Sequence, residues 1–350
     1  MVATLDFSLS ADRIATRPSE VDGRFRDDVA LLVSTVGGDL HRRFQDLPDL
    51  LGSGDLVVVN DSATLPAAVD VPDSDEVVHL STLLEDGSRI VELRHRAGFG
   101  TSPGSGAEAG RRLDLPGGAT VDLVAAWPDP AQARSRLWRA LVVAPRPVRR
   151  WLAHHGHPVR YGDTAEDLPL SVYQTVFARR PGSSEMPSAA RPLSPAVLDR
   201  LRLRGVDVVS ITLHTGLSSP ERHERPHPER FRVPAATAAA VVRAQRAGRR
   251  VIAVGTGVVR ALETAATGTG RVVAAHGWTE LVVSPQQPPR VVDGLLTGFH
   301  EPEASHVALL EAFAGTPMVE RAYAAALDGP YRWHEFGDSH LLLPRNDRQH

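Results

Sequence analysis

The sequence contains no cysteine and no lysine. The first absence excludes disulfides, thiolate metal sites and a cysteine nucleophile. The second excludes a lysine base or Schiff-base nucleophile and makes all 39 basic side chains arginine. No window approaches the roughly 20 apolar residues needed to span a bilayer. The opening MVATLDFSLSADR lacks the basic start and apolar run of a signal peptide, so a cytoplasmic enzyme without membrane contact is expected. Net positive charge is also missing. The formal charge of −3 argues against a generally basic nucleic-acid binder, and any RNA contact must come from a local arginine patch.

What is present fits a globular protein with a real core: 42% hydrophobic and 23% charged residues. The 350 residues suffice for about two domains. Two textures divide them. Over 66–147, EVVHLSTLL, RIVELRHR, RRLDLP, ATVDLVAAW and RLWRALVVA are short strands between Gly, Pro and Asp turns, the pattern of a small antiparallel barrel or sandwich. GFGTSPGSGAEAG (98–110) reads as a flexible loop. Elsewhere strands alternate with helices. VALLVST (29–35), VDVVSITLHTG (206–216), RVIAVG (250–255) and TELVVSP (279–285) read as strands. FQDLPDLLGSGDLVVVND (44–61) reads as a short helix, a turn and a buried strand. PVRRWLAHHG, SPAVLDRLRLRG, PAATAAAVVRAQRAG, VVRALETAA and PEASHVALLEAFAG read as helices, with Gly205 and Gly248 as stop signals. The expected fold is α/β: a larger discontinuous α/β domain (1–65 and 148–350) with partly parallel strands, and an inserted small antiparallel β-barrel domain (66–147).

Five stretches have residues suited to chemistry. In RVIAVGTGVVRALET a strand turns through Gly255, Thr256 and Gly257 into a helix, a geometry that favours an anion at the helix start. Arg260 and Glu263 lie three apart on one face of that helix, as a surface ion pair or as ligand contacts. In TLHTGLSSPERHERPHPERF (212–231) the strand delivers His214, Thr215 and Gly216 to its carboxyl end, where a histidine serves as base, as donor or as a structural group. The following His223 and His227 sit among Arg222, Arg225, Arg230 and Arg232, which reads as a cationic or plain solvated loop. Two histidines four apart suit zinc on a helix, but Pro226 and Pro228 oppose a helix, so no metal is expected. In LLTGFHEPEASH, His300 follows an apolar run; Glu301 and Glu303 suit a helix's first turn. VYQTVFARRPGSSEMPSAARPLS reads as a short element and a loop of the kind that borders sites, and Asp338 in EFGDSHLLL as a turn former. No G-x-S-x-G, Walker A, H-E-x-x-H or EF-hand pattern occurs.

Taken in order, GDLVVVNDSATLPAAV, LPLSVYQTVFARRPGS, GVDVVSITLHTGL, RVIAVGTGVVRALET, GLLTGFHEPEASHVALLEAFAG and AYAAALDGPYRWHEFGDSHLL resemble the S-adenosylmethionine:tRNA ribosyltransferase-isomerase family of queuosine biosynthesis. The order and spacing match over nearly the whole chain. The resemblance implies transfer and isomerisation of the ribosyl group of S-adenosylmethionine onto 7-aminomethyl-7-deazaguanine in tRNA, giving epoxyqueuosine. S-adenosylmethionine is then a substrate, tRNA the partner, no metal is required, and a monomer is the default expectation. By position in the matched motifs, it implies proton transfer at His214 and His300. It places S-adenosylmethionine at Gly255, Thr256, Gly257, Arg260, Glu263, Thr215 and Gly216. It places the acceptor at Asn60, Asp61, Tyr173, Gln174, Arg222, Arg225, His227 and Asp338. The sequence departs from the family pattern at Ala63, where an arginine is usual, and over Pro187–Leu193, which lacks the usual Gly, His and Phe. A divergent relative that binds a nucleoside without modifying tRNA, and a non-catalytic RNA-binding protein, remain open readings.

Overall fold

The computed structural model describes residues 5, 7–104, 107–131, 135–161, 164–217, 227–301 and 305–344. In chain order the strands are β1 (Ala30–Thr35), β2 (Gly38–Arg43), β3 (Leu56–Asn60), β4 (Ser62–Thr64), β5 (Ala68–Asp70), β6 (Glu76–Leu83), β7 (Arg89–Ala97), β8 (Gly100–Pro103), β9 (Arg112–Leu115), β10 (Ala119–Ala126) and β11 (Leu137–Val143). They continue with β12 (Arg180–Ser183), β13 (Asp207–Leu213), β14 (Glu229–Val233), β15 (Val251–Val254), β16 (Ala275–Thr279), β17 (Gly294–Gly298) and β18 (Ser339–Leu343). The helices are α1 (Leu47–Leu50), α2 (Val148–His155), α3 (Pro195–Leu203), α4 (Ala235–Arg246), α5 (Thr256–Thr264), α6 (Ser305–Ala314) and α7 (Thr316–Asp328).

The main sheet has nine strands in the order β16-β14-β13-β3-β15-β17-β18-β1-β2. Its centre, β13-β3-β15-β17, is parallel, while β14 and β18 run against their neighbours β13 and β17. Both faces of this centre are covered, which is why β3 and β15 are continuous apolar runs, buried throughout. Alternation sorts their side chains. Leu56, Val58, Val251 and Ala253 join the cluster that includes Val241 of α4, Leu262 of α5, Leu310 of α6 and Val319 of α7. Val57, Val59, Ile252 and Val254 join Leu47, Val197 and Leu201 on the other face.

Residues 68–143 form a separate seven-stranded antiparallel sheet, β5-β6-β7-β11-β10-β9 with β8 paired to β7. It packs its own core of Val78, Ile90, Val91, Val121 and Leu137, capped by Trp151 and Leu152 of α2. The pairing order runs from β5 to β9. A small parallel pair, β12 with β4, brings Arg180 beside Ser62 and Ser183 beside Thr64. Among the described residues no helix is long and apolar enough to cross a membrane.

Three local expectations are corrected. The strand expected over 279–285 lies instead at Ala275–Thr279. Val283 is buried without strand pairing, whereas β16 is a half-exposed edge whose polar sequence gives no apolar signal. The loop expected over 98–110 contains β8, which folds back on β7. The loop expected after the 206–216 strand ends in β14, whose burial alternates: Glu229, Phe231 and Val233 inside, Arg230 and Arg232 outside. Helix α7 was not anticipated.

Candidate active site

The parallel strands end together. At the carboxyl edge of the sheet stand Asn60 at the end of β3 with Asp61 and Ser62 beyond it, His214, Thr215 and Gly216 after β13, Gly255 and Thr256 after β15, and His300 after β17. Open α/β sheets bind ligands at this edge. The antiparallel neighbours β14 and β18 begin there, bringing Glu229 and Asp338.

His214 is the centre of one network. Its Nδ1 lies 2.8 Å from Ser62 Oγ, which lies 2.6 Å from Ser183 Oγ, which accepts the Thr215 backbone N–H at 3.0 Å. The ring lies flat against the 182 backbone: a Cβ on Gly182 would sit 2.4 Å from Nδ1, so only glycine fits. Burial pushes the His214 pKa down to about 4, helped by the positive charge of Arg230, so the ring is neutral at physiological pH. Thr215 is held twice more, its hydroxyl donating to the Glu185 carbonyl at 2.7 Å and its carbonyl accepting from Ser184 N at 2.8 Å. Gly216 donates to Glu229 Oε1 at 3.1 Å and faces Ser81 and Thr82 of β6, where a side chain would collide. The 183–217 contacts therefore join the two sheets.

Asn60 is a clamp. Its amide donates to the Leu213 carbonyl at 2.7 Å, and its oxygen accepts from Leu213 N and Ser62 N, each at 3.0 Å. It spends its polar atoms on the backbone that carries Ser62 and His214. Asp61 accepts from Thr212 Oγ1 at 2.5 Å and lies 3.7 Å from Arg180 Nε. Gln174 pairs both amide atoms with the Thr64 backbone, and Tyr173 is buried against Phe336 with its carbonyl accepting the Thr64 hydroxyl.

The strand–helix corner of β15 and α5 is tight. Gly255 has φ +90°, a conformation that suits glycine, and its N–H donates to Leu296 O at 2.8 Å. Gly257 lets α5 approach Leu213, to which a Cβ would come within 3.2 Å. The first-turn N–H groups at Thr256 and Gly257 point out of the helix start, which is the anion-favouring end. Arg260 and Glu263, expected together, have different partners. Arg260 makes a buried ion pair with Glu229 and donates to the carbonyls of Leu281 and Thr279. Glu263 accepts the backbone N–H groups of Arg290 and Val291, and burial raises its pKa. Both side chains thus tie α5 to other segments of the chain. Removing one partner of a buried pair strands the other charge, so Arg260→Met should cost about 3–5 kcal/mol in a denaturant melt, and Glu229→Gln a comparable amount.

His300 stacks on His306 at 4.5 Å between ring centroids and 9° between planes, and its Nε2 lies 3.0 Å from Thr297 Oγ1. Burial lowers its pKa well below 6.5, with His306 and His340 adding to the effect. Asp338 fastens two chain segments, accepting Ala30 N at 2.6 Å and Arg332 N at 2.8 Å. His227 accepts the Trp127 indole N–H at 3.1 Å, which ties it to the antiparallel sheet. Arg222, Arg225 and His223 lie outside the described residues. Among the described residues no group of three His, Asp or Glu is placed to hold a metal ion.

The structure thus gathers His214, Thr215, Gly216, Thr256 and His300 at one edge. Asn60, Tyr173, Gln174, Arg260, Glu263 and Asp338 hydrogen-bond to the chain segments around that edge. Sequence reasoning missed Gly182, Ser183 and Glu229, which lie far from their partners along the chain. The one signal was the run of polar residues after the buried strand β3, which includes Ser62.

Comparisons with known proteins show what the chain is similar to. A family model described as queuosine biosynthesis protein matches residues 2–342. The chain is 36% identical over 355 residues to the S-adenosylmethionine:tRNA ribosyltransferase-isomerase of Azoarcus sp. (strain BH72), covering 98% of this chain and 97% of that one. It is 32% identical over 361 residues to the enzyme of the same name from Desulfitobacterium hafniense, covering 97% and 98%. Among solved structures, the S-adenosylmethionine tRNA ribosyltransferase of Thermotoga maritima matches with a TM-score of 0.54 and 25% identity, over 97% of this chain and 99% of that one. The chain belongs to the queuosine biosynthesis protein family.

Proposed function

We propose that this chain is an S-adenosylmethionine:tRNA ribosyltransferase-isomerase. It transfers and isomerises the ribosyl group of S-adenosylmethionine onto 7-aminomethyl-7-deazaguanine in tRNA, forms epoxyqueuosine and releases adenine and methionine. The observation that carries this reading is the meeting of the braced His214 with the start of α5 at one sheet edge. The sulfonium activates C5′ for deprotonation, the acceptor amine attacks the sugar, and adenine departs. Each step gains from preorganised hydrogen-bond donors in a site shielded from water. The α5 start suits the methionyl carboxylate, Thr256 and Thr215 the sugar, and His214 and His300 the groups that gain or lose protons. Residues 66–147 are read as an inserted β-barrel domain on an α/β body (1–65 and 148–350), and the enzyme as a metal-free cytoplasmic monomer.

For tRNA, the outer face of β14 and β16 is the favoured contact. Arg230 and Arg232 are exposed there, register with Trp278 and His276, and lie one strand from His214. Arg230 stands over the Trp278 ring at 6.0 Å. Arginine beside an aromatic face suits phosphate and an unstacked base. Replacing both arginines by glutamate should weaken tRNA binding and reduce the slope of log K against log salt by about 2, measured by filter binding.

Adenine release tests the function itself. With S-adenosylmethionine and tRNA bearing the aminomethyl base, the protein should release adenine; omitting either should abolish release. Binding of S-adenosylmethionine without release in the complete mixture would overturn the reading.

A further inference from the structure

We propose that Ser62 and Ser183 hold His214 in the tautomer whose Nε2 carries the proton, so that the neutral ring offers the substrate a hydrogen-bond donor and not a base. The argument is a count of protons. Each hydroxyl has one proton to give and two lone pairs to receive. Ser183 Oγ receives the Thr215 N–H at 3.0 Å and meets Ser62 Oγ at 2.6 Å. Ser62 Oγ in turn meets His214 Nδ1 at 2.8 Å.

Three proton arrangements are available. In the first, Ser183 donates to Ser62 and Ser62 donates to Nδ1; every proton has a short acceptor. In the second, Nδ1–H donates to Ser62 and Ser62 donates to Ser183. The Ser183 proton then has no acceptor among the described residues, at a side chain with 0% exposure. Buried polar groups rarely go unpaired. In the third, Nδ1–H and Ser183 both donate to Ser62, whose own proton goes to the Arg180 carbonyl at 3.4 Å. Hydroxyl donors bond at about 2.5–3.0 Å, so this acceptor is too far. Only the first arrangement gives both hydroxyl protons a short acceptor and Nδ1 a donor.

The surroundings keep this assignment fixed. Gly182 lies against Nδ1, and Asn60 locks the Ser62 and Leu213 backbones together, so ring and hydroxyl cannot drift apart. Turning the ring over would place a carbon opposite Ser62 and lose the bond. The lowered pKa of His214 agrees, since only a neutral ring has a tautomer to fix. Ser62 and Ser183 are therefore positioning residues that act through His214. Under the function proposed above, on which this consequence rests, Nε2–H meets an acceptor such as a ribose oxygen or a ring nitrogen of the departing adenine. The group that takes the C5′ proton is then a different one.

Nitrogen NMR of the full-length protein, labelled with ¹⁵N-histidine and free of substrate at pH 7.5, reads the tautomer directly. A His214→Asn sample identifies the His214 signals by their loss. The expected result is an unprotonated Nδ1 and a protonated Nε2. In Ser62→Ala the ring should relax to a mixture of tautomers and adenine release should fall; Ser62→Thr should restore both. A protonated Nδ1 in the wild-type protein would overturn the proposal. If the tautomer is as expected and no sample releases adenine, the functional reading fails while the tautomer assignment stands.

Discussion

Acidifying from pH 6.5 to 4 should destabilise the folded chain steeply. His79 and His340 are fully buried, and burial holds the His340 pKa at about 4 and that of His79 well below 6.5. His306 is held at about 4 and His300 well below 6.5, again chiefly by burial. In the unfolded chain a histidine titrates near 6.5. Below that pH the unfolded state takes up protons that the folded state refuses. The stability of these sites is present above pH 6.5 and is lost as pH falls toward the folded values. His340 alone loses about 3 kcal/mol by pH 4, against a typical total of roughly 5–15 kcal/mol. Glu263 and Asp338 act in the opposite sense, because burial raises their pKa values and the folded state protonates first. Their backbone hydrogen bonds limit that offset. The melting temperature should be level from pH 8 to 6.5 and then fall continuously, with a shallower fall in His340→Asn, which cannot titrate. A level profile down to pH 4 would contradict the burial of these rings.

The second large effect is at His214. Removing one preorganised donor from a site of developing charge typically costs about 10²–10³ in rate, and His214→Ala should slow single-turnover adenine release by that factor. Gly182→Ala should come close to the same loss without replacing the histidine. Its methyl group would enter the space of Nδ1, 2.4 Å away, and force the ring off Ser62. A merely structural histidine would give the opposite pattern: reduced melting temperature in both variants with the rate per folded molecule unchanged.

Much of the architecture was legible because its causes are local. Continuous apolar runs at Leu56–Val59 and Val251–Val254 marked strands buried on both faces, and Gly205 and Gly248, with φ of +73° and +65°, ended helices as their sequence positions suggested. What failed was one end of the main sheet. Strand β16 carries Gly277 and exposed His276, and strand β14 exposes alternate arginines, so neither shows an apolar run. The site was half legible. Glycines and histidines after strands marked the edge, but which polar residues face a ligand and which brace the backbone depends on partners far away in sequence. Arg260 was read with Glu263, three residues away, yet its charge is met by Glu229, 31 residues away in a strand hidden within an arginine-rich stretch. Ser62 and Ser183, 121 residues apart, meet only because β4 and β12 pair.

The most direct measurement follows the ribosyl group itself. S-adenosylmethionine labelled in its ribose is incubated with the purified protein and tRNA carrying 7-aminomethyl-7-deazaguanine, and the tRNA is digested to nucleosides. The account predicts label in epoxyqueuosine, with one adenine released for each label transferred. Adenine release with an unlabelled tRNA, or no release from a protein that binds both substrates, would contradict it.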